Sequence, residues 1–442
     1  MKYANFKDAG RCNINIGDYL QFIVTEYLLN AMNVPDRDIV RLGFHELADY
    51  DGEEVTFPFC YSIIDFVHNG KIEISDKIKP VFLAVTLSTI DKFMNLDRFL
   101  EDGYNKRYLT QFGPIGCRDE ITYNAMQKHG IPSYINGCMT AIFPTKPEIK
   151  GNKVLLVDAP KTLLPYIPAK FFRNCECHTQ QFYFDKDAVA DFKDMFRFVK
   201  EKYQYYAENA KIVITSRLHV ALPLTAMGIP VILAKDNVDG RFSFIERYIP
   251  IYDKKEYQNI NWNPEVPQFE KMKKILMDHA LGRIKGDVAE EILREQESKI
   301  TDCFISRKKI PEYKPSHTIT HTNGERFDEY AERYWKQHEK IKYAFWGVSD
   351  NNFEFWKEHI ESQYPNAELV AIYDSYREGK ILNLMYQKPE AIKKDSDVCI
   401  IVCAVGAAQA ARKLFKNMGL VQSQYCITSD CFIADEDVEE MR

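Results

Sequence analysis

The fold class is decided by residues 211–234, which read KIVITSRLHVALPLTAMGIPVILA. A β-branched run, Ile212 to Thr215, predicts a buried strand. The next residues predict a helix closed by Met227 and Gly228, and a second apolar run follows from Ile229 to Ala234. A strand–helix–strand unit of this kind is typical of α/β folds with parallel sheets.

Three polar residues, Ser216, Arg217 and His219, follow the first of these strands directly. In open α/β sheets ligands bind at the carboxyl ends of the strands, and a helix that begins there favours an anion. A cation and a titratable imidazole at this point predict a substrate that carries phosphate or carboxylate groups.

The length and net charge of the chain limit its number of domains and its class of partner. A chain of 442 residues is longer than a single core, so two or three domains are expected. The net charge of −6 argues against nucleic acid as a partner, because nucleic acid needs a strongly basic surface.

Cysteine usage and hydropathy predict a cytoplasmic location. The eleven cysteines are scattered and odd in number, as expected of reduced thiols. The longest apolar window, residues 398–411, is too short to span a bilayer, and the N-terminus lacks the apolar region of a signal peptide. The expected place of work is the cytoplasm, including substrates at the inner face of the membrane.

Repeated strand–turn–helix signals predict an α/β architecture in four segments. The first two are Rossmann-like halves, residues 1–150 and 151–302. Residues 303–338 are polar and predict a linker, and residues 339–442 predict a third, small Rossmann-like domain. This last segment has one glycine, Gly347, where a nucleotide fingerprint has three, so a structural role is favoured although Asp374 ends its second strand.

Two blocks of sequence carry a family resemblance. The first is PIGCRDEITYNAMQKHGIPSYINGCMTAIFP, residues 114–144, and the second is TSRLHVALPLTAMGIPVI, residues 215–232. With the element Asn15-Ile16-Gly17-Asp18, they make about the first three hundred residues similar to the polysaccharide pyruvyl transferase family. The resemblance implies two Rossmann-like halves facing a cleft, as in GT-B glycosyltransferases. It also implies transfer of pyruvate from phosphoenolpyruvate onto a sugar hydroxyl, with no cofactor.

Arg217 and His219 are the residues that this chemistry needs most. Phosphoenolpyruvate carries a carboxylate and a phosphate, and the fork of an arginine binds either group. Ketal formation also moves protons, and a histidine can act as acid and base. Arg217 is therefore predicted to bind substrate and His219 to be catalytic. The alternatives are an ion pair of Arg217 with an acidic loop residue and a histidine bonded to a neighbouring carbonyl.

Five further residues are candidates for substrate binding, each with a structural alternative. Arg118 either points into the cleft or belongs to an ordinary helix start. Gly17 permits close approach of a ligand, and Asp18 either binds a sugar hydroxyl or caps a helix over residues 19–32. Ser216 is the natural cap of the helix that follows it, and Arg241 is a second anion contact or a surface residue.

Two other functions stay open at this stage. A GT-B glycosyltransferase would use the same arginines on the diphosphate of a nucleotide sugar. A non-catalytic metabolite-binding or assembly protein would need the anion site without the histidine chemistry. The predicted partners are phosphoenolpyruvate and a saccharide acceptor, including lipid-linked ones. No metal site is predicted, and the sequence leaves the oligomeric state open.

Overall fold

The computed structural model describes most of the chain, with short gaps. The described residues are 1–7, 13–63, 66–87, 95–146, 151–183, 192–304, 321–336, 338–348, 350–375, 377–381, 383–429 and 432–441. They form an α/β structure with parallel sheets, which confirms the α/β part of the predicted fold class, and the GT-B-like arrangement of two facing halves stays a prediction.

The chain divides into two compact units. Unit 1 comprises Met1–Pro315 together with Ile433–Arg442, and unit 2 comprises Ser316–Phe432. The boundaries predicted at residues 150, 302 and 338 stay predictions.

The first part of unit 1 is built on a parallel sheet of strand order β3-β1-β4-β7, with the parallel pair β8-β9 beside it. Its strands are β1 (Lys2–Phe6), β2 (Asn13–Asn15), β3 (Ile39–Leu42), β4 (Val55–Phe59), β5 (Val67–His68), β6 (Lys71–Ile72), β7 (Ile78–Phe82), β8 (Ile115–Cys117) and β9 (Ser133–Ile135). Its helices are α1 (Ile16–Ala31), α2 (Leu96–Glu101), α3 (Gly103–Gln111) and α4 (Glu120–Lys128).

The second part of unit 1 contains a five-stranded parallel sheet of order β11-β10-β13-β14-β15. Its strands, with the separate β12, are β10 (Lys153–Val157), β11 (Cys175–His178), β12 (Gln181–Tyr183), β13 (Ala210–Thr215), β14 (Val231–Ala234) and β15 (Ile251–Tyr252). Its helices are α5 (Ala169–Phe172), α6 (Phe192–Asn209), α7 (Leu218–Ala226), α8 (Glu270–Lys285) and α9 (Glu290–Phe304). The strand–helix–strand unit predicted from residues 211–234 is present as β13, α7 and β14.

The two parts of unit 1 are joined by backbone pairing and by a common core. Strand β12 pairs antiparallel with β2, the short strand that leads into α1. One cluster of buried apolar side chains extends from Phe6 in β1 to Val213 in β13 and Phe304 in α9. The start of α1 is therefore held directly against the second part of unit 1.

Unit 2 has a six-stranded sheet of order β18-β19-β17-β16-β20-β21, parallel except at the β18-β19 edge. Its strands are β16 (Ile341–Trp346), β17 (Ala367–Tyr373), β18 (Lys380–Ile381), β19 (Leu384–Gln387), β20 (Val398–Val402) and β21 (Tyr425–Ile427). Its helices are α10 (His321–Tyr334), α11 (Asp350–Gln363) and α12 (Val405–Met418). Apolar clusters cover both faces of the sheet.

The segment expected to be a polar linker contains helix α10. Phe327 and Ala331, four residues apart on one helical face, are fully buried, and Trp335 just beyond the helix is 4% exposed. The high polarity of the surrounding residues masked this apolar stripe in the sequence. Residues 305–320, which carry most of the linker prediction, lie outside the described residues.

The C-terminal helix α13 (Asp435–Met441) belongs to unit 1. Ile433 and Val438 pack into the apolar cluster on one face of the second sheet, and the Ile433 amide donates to the carbonyl of Ala159 at 2.9 Å. Among the described residues, no helix combines the length and the apolar character that a bilayer span requires.

Candidate active site

The site begins at the point where β10 and β13 lie side by side in the second sheet. The chain leaves β10 towards β11 on one side, while β13 and β14 follow on the other, so a crevice opens at the carboxyl ends of β10 and β13. Asp158 ends the first of these strands and Ser216 the second. The Ser216 hydroxyl donates to the Asp158 carbonyl at 2.7 Å and ties the two strand ends together.

The prediction that Ser216 caps the following helix is wrong. Arg217 occupies the N-cap position of α7, and its side chain makes no capping bond. The hydroxyl of Ser216 donates to the neighbouring strand end instead of capping the helix.

Arg217 is oriented by Asp158. Its Nε donates to Asp158 Oδ2 at 2.8 Å, and the backbone N–H of Gln180 donates to the same oxygen at 3.0 Å. Asp158 is 2% exposed, so its carboxylate depends on these partners. The ion pair considered from the sequence is therefore present, with a buried strand-end carboxylate rather than a loop residue.

His219 lies in the first turn of α7 and contacts one residue from each part of unit 1. Its Nε2 is 3.7 Å from the Sγ of Cys138, and its own carbonyl accepts a hydrogen bond from the Tyr203 hydroxyl. Burial of the ring lowers the pKa of His219 to about 3, and the positive charges of Arg118 and Arg241 add to this effect. The imidazole is therefore neutral near pH 7 and carries a lone pair on one of its ring nitrogens.

Gly17 brings the start of α1 against this histidine. A Cβ at position 17 would lie 2.8 Å from the Cβ of His219 and 3.2 Å from its Nδ1, so a side chain does not fit without displacing the ring. The close approach predicted for this glycine is thus made by His219 of the same chain.

The N-cap of α1 is Asn15, not Asp18. The Asn15 side chain accepts from the Gly17 amide at 3.1 Å, because β2 ends one residue before the helix begins. Asp18 lies in the first turn, where a carboxylate favours the positive end of the helix dipole. Its charge raises the pKa of Tyr203, although burial of that phenol is the largest cause.

Arg118 reaches the same region from the end of β8. It is 7% exposed, and its Nη1 donates to the Gln21 side chain at 2.8 Å. Its Nε is buried and has no hydrogen-bond partner among the described residues. A buried guanidinium bonded to a neutral amide is unfavourable, and an anion beside it would remove the cost.

Arg241 is the second cation that acts on His219. It lies in the 3-10 turn Gly240–Phe242. Its Nε donates to Asp239 Oδ1 at 2.7 Å, and its Nη2 donates to Asp239 Oδ2 at 2.8 Å. A Cβ at Gly240 would lie 2.4 Å from Cδ1 of Ile121, so the turn packs closely on α4. This packing holds Arg241 beside the element that follows Arg118.

The structure therefore gathers candidates from distant parts of the sequence. Gly17 touches His219, and Arg118 and Arg241 act on it electrostatically. Arg217 and Ser216 are tied to Asp158 at the adjacent strand end. Asp18 lies in the first turn of α1, one residue after Gly17.

Two contributors were missed in the sequence. Gln21 pairs with Arg118, and Asp158 orients Arg217. Asp158 carried a usable signal, since it directly follows the apolar strand of residues 153–157 next to the one that bears Arg217. Gln21 carried none, because its role depends on a contact with a residue 97 positions away. Cys138, which contacts His219, lies within the first block of family resemblance, residues 114–144, where its turn was expected to shape the cleft.

Comparison with protein families gives a match over residues 15–234, to the family described as polysaccharide pyruvyl transferase. The chain belongs to this family. The matched span runs from the end of β2 to the end of β14 and contains every candidate site residue except Arg241. Unit 2 lies outside it.

Membership makes the chain an enzyme of the polysaccharide pyruvyl transferase type, and the family implies a saccharide as acceptor. A search of curated proteins found no match to the chain.

Proposed function

We propose that this pyruvyl transferase moves the pyruvyl group of phosphoenolpyruvate onto a saccharide and forms a ketal. The choice of donor rests on two arginines whose positive charges act on the neutral imidazole of His219. Arg118 comes from the first part of unit 1 and Arg241 from the second, and both lower the pKa of His219.

The donor accounts for the unusual state of Arg118. Phosphoenolpyruvate brings a carboxylate and a phosphate, which calls for cations at two points. Arg118 has a buried Nε without a partner among the described residues, and Arg217 is held in a fixed orientation by Asp158. We assign Arg118, Arg217 and Arg241 to the two anionic groups of the donor.

His219 supplies the base. In the net reaction, two hydroxyl groups of the acceptor add to C2 of phosphoenolpyruvate, the C–O bond to phosphate breaks, and the methylene carbon gains a proton. Of the two hydroxyl protons released, one balances the new methyl group and the other leaves with phosphate. A neutral imidazole can take the first of these protons, because its lone pair is available at working pH.

The acceptor is proposed to lie at the start of α1. Gly17 places the first turn of this helix against the histidine, and Asp18 lies in that turn, where a carboxylate can accept a hydrogen bond from a sugar hydroxyl. The acceptor is proposed to be a surface-polysaccharide precursor, lipid-linked and reached at the inner face of the cytoplasmic membrane.

The proposal also includes a GT-B-like arrangement, in which the two parallel sheets of unit 1 act as facing halves around the site. The pairing of β2 with β12 supports it, because this ribbon joins the two parts next to α1. No cofactor is proposed, since the net reaction requires anion binding and proton transfers and includes no oxidation or reduction.

The function is tested by incubating the full chain with phosphoenolpyruvate and a panel of nitrophenyl and lipid-linked saccharides. Phosphate release and a new ketal methyl signal in the NMR spectrum of the product are expected to appear together. The same panel is run with nucleotide sugars as a control. Glycosyl transfer without any reaction of phosphoenolpyruvate would refute the proposal and favour a glycosyltransferase, and binding without turnover of either donor would favour a non-catalytic protein.

A further inference from the structure

The thiol of Cys138 contacts the one histidine that the proposed reaction uses. Its Sγ is 3.7 Å from Nε2 of His219, within the range of a hydrogen bond to sulfur. The hydroxyl of Thr140 donates to the same sulfur at 3.3 Å. Cys138 is 2% exposed, so this contact lies behind the imidazole and away from solvent.

The position of the thiol is fixed by the backbone around it. Cys138 precedes the 3-10 turn Met139–Ile142 and follows Gly137, whose φ of +70° favours glycine. A Cβ at Gly137 would lie 2.8 Å from the ring of Phe244 and 2.9 Å from that of Phe304. The chain is thus pressed against two core aromatics at this point, and the sulfur has little freedom to move away from the histidine.

The two ring nitrogens of His219 have different surroundings. Nε2 faces the buried sulfur, whereas Nδ1 lies on the side of Gly17 and the start of α1. A neutral imidazole carries one proton, and the nitrogen without it is the base. For Nδ1 to accept a proton from a hydroxyl at α1, the ring proton must reside on Nε2.

We propose that Cys138 is a positioning residue that keeps the proton of His219 on Nε2 and directs Nδ1 at the acceptor hydroxyl. The sulfur accepts hydrogen bonds from Nε2–H and from the Thr140 hydroxyl. During the reaction the hydroxyl proton moves to Nδ1, while the Nε2 proton stays on nitrogen. This inference rests on the proposed function for the identity of the reaction, and on the contacts of His219 for the tautomer.

A thiol suits this place because it is uncharged when protonated. The charged groups acting on the imidazole are Arg118 and Arg241, and the titratable groups next to Cys138 are Cys60 and Tyr248. A carboxylate in place of the sulfur would attract the arginines and compete with the anionic donor. The sulfur orients the ring and leaves both positive charges available to the substrate.

Activity is the first measurement. Replacing Cys138 by alanine is expected to lower kcat about 10- to 100-fold, as loss of the partner of an oriented histidine commonly does, with little change in the KM for phosphoenolpyruvate. Cys138→Ser should retain part of kcat, because a hydroxyl also accepts from Nε2–H. Thr140→Val should give a smaller loss, since it frees the sulfur without removing it.

The matched control is Cys60→Ala, which removes another buried thiol of the same core, 4% exposed. It should cost a similar amount of thermal stability and leave kcat and the pH profile unchanged. Equal kcat in Cys138→Ala and the wild type would overturn the inference. So would equal losses in Cys138→Ala and Cys60→Ala that follow their melting temperatures.

The tautomer is the second measurement, and it needs no substrate. Nitrogen-15 NMR of His219, assigned by comparison with His219→Gln, should show the Nε2–H form in the wild type and in Cys60→Ala. In Cys138→Ala it should show a mixture of the two forms. A wild-type ring protonated on Nδ1 would overturn the inference even if pyruvyl transfer is found. The Nε2–H form in a protein that does not use phosphoenolpyruvate would refute only the proposed function.

Discussion

Two sheets of this protein place their first strand in the same way, between the second strand and a later one, and differ in the side chains at its carboxyl end. In unit 1, β10 is flanked by β11 and β13, and in unit 2, β16 is flanked by β17 and β20. Both arrangements open a crevice at the carboxyl ends of two neighbouring strands. In unit 1 this edge holds the ion pair of Asp158 and Arg217, with His219 in the helix that follows.

At the corresponding edge of unit 2, small apolar groups pack against the turn that follows β16. Gly347 has a φ of +73°, and a Cβ placed there would lie 2.9 Å from the Cβ of Ala404 and 3.2 Å from that of Ala407. Asp374 follows β17 and accepts from the backbone amide of Arg377 within its own loop. In both units the strand order therefore creates a carboxyl edge where a ligand could bind. The side chains at that edge decide whether it is a binding site.

The largest effect is expected from His219→Ala. Removing the base should lower kcat about 100-fold or more, measured as phosphate release from phosphoenolpyruvate with a saccharide acceptor. His45→Ala, which removes an exposed imidazole whose side chain is 71% accessible, is the control and should keep wild-type activity. A fully active His219→Ala variant would remove the basis for placing the site at this edge.

Arg118→Gln tests the electrostatics of the site. Loss of a charged hydrogen-bonding group should raise the KM for phosphoenolpyruvate about tenfold or more. With one positive charge gone, the pKa of His219 should rise from about 3, as followed by NMR titration. Arg294→Gln, in which an exposed arginine of α9 is removed, should change neither quantity.

The same substitution has a consequence for stability. In the wild type, His219 is neutral when folded and takes up a proton when unfolded below its ordinary pKa of 6.5. The free energy of unfolding should therefore decrease as pH falls from 6.5 towards 3. Above pH 6.5 the imidazole is neutral in both the folded and the unfolded state, so the full stability is present there. In Arg118→Gln the decrease should end at a higher pH and be smaller, which urea unfolding at several pH values would reveal. An unchanged pH dependence would contradict the assigned charge effect.

Gly17→Ala tests the contact between α1 and the histidine. The added methyl group should displace the imidazole and lower kcat about tenfold, because small misplacements of reacting groups are costly. Gly103→Ala is the matched control, since it also lies at a helix start and its Cβ would meet only the flexible end of Arg107 at 3.3 Å. Comparable kcat values for both variants would show that the close approach does not position the ring.

The smallest effect is expected from Asp374→Asn in unit 2. Its kcat and KM should stay within about twofold of the wild type, as for most substitutions away from a site. Asp158→Asn, which changes an aspartate directly after a strand of unit 1, should raise the KM for phosphoenolpyruvate because Arg217 loses its charged partner. A tenfold loss in Asp374→Asn would break the comparison and bring the unit 2 edge into the reaction.

Local sequence predicted the elements well wherever the pattern was long and periodic. The strand–helix–strand unit of residues 211–234 appears as predicted, and Gly419 ends α12 with a φ of +66°. Element ends were less predictable. Glycine often ends a helix, yet α8 runs through Gly282 and ends only at Gly286, where φ is +67°. A helix tolerates a glycine in its interior when neighbouring side chains fill the space, and Val288 and Leu293 do so here.

The sequence by itself determined the α/β fold class, the strand edge that bears Arg217 and His219, and the family. These follow from patterns within a few tens of residues, where hydrophobic periodicity and turn chemistry act. Only the tertiary structure decided that Asp158 holds Arg217, that Gly17 abuts His219, and that Cys138 stands behind its ring. These contacts join residues about 60 to 200 positions apart, and their geometry is set by core packing, which no local pattern records.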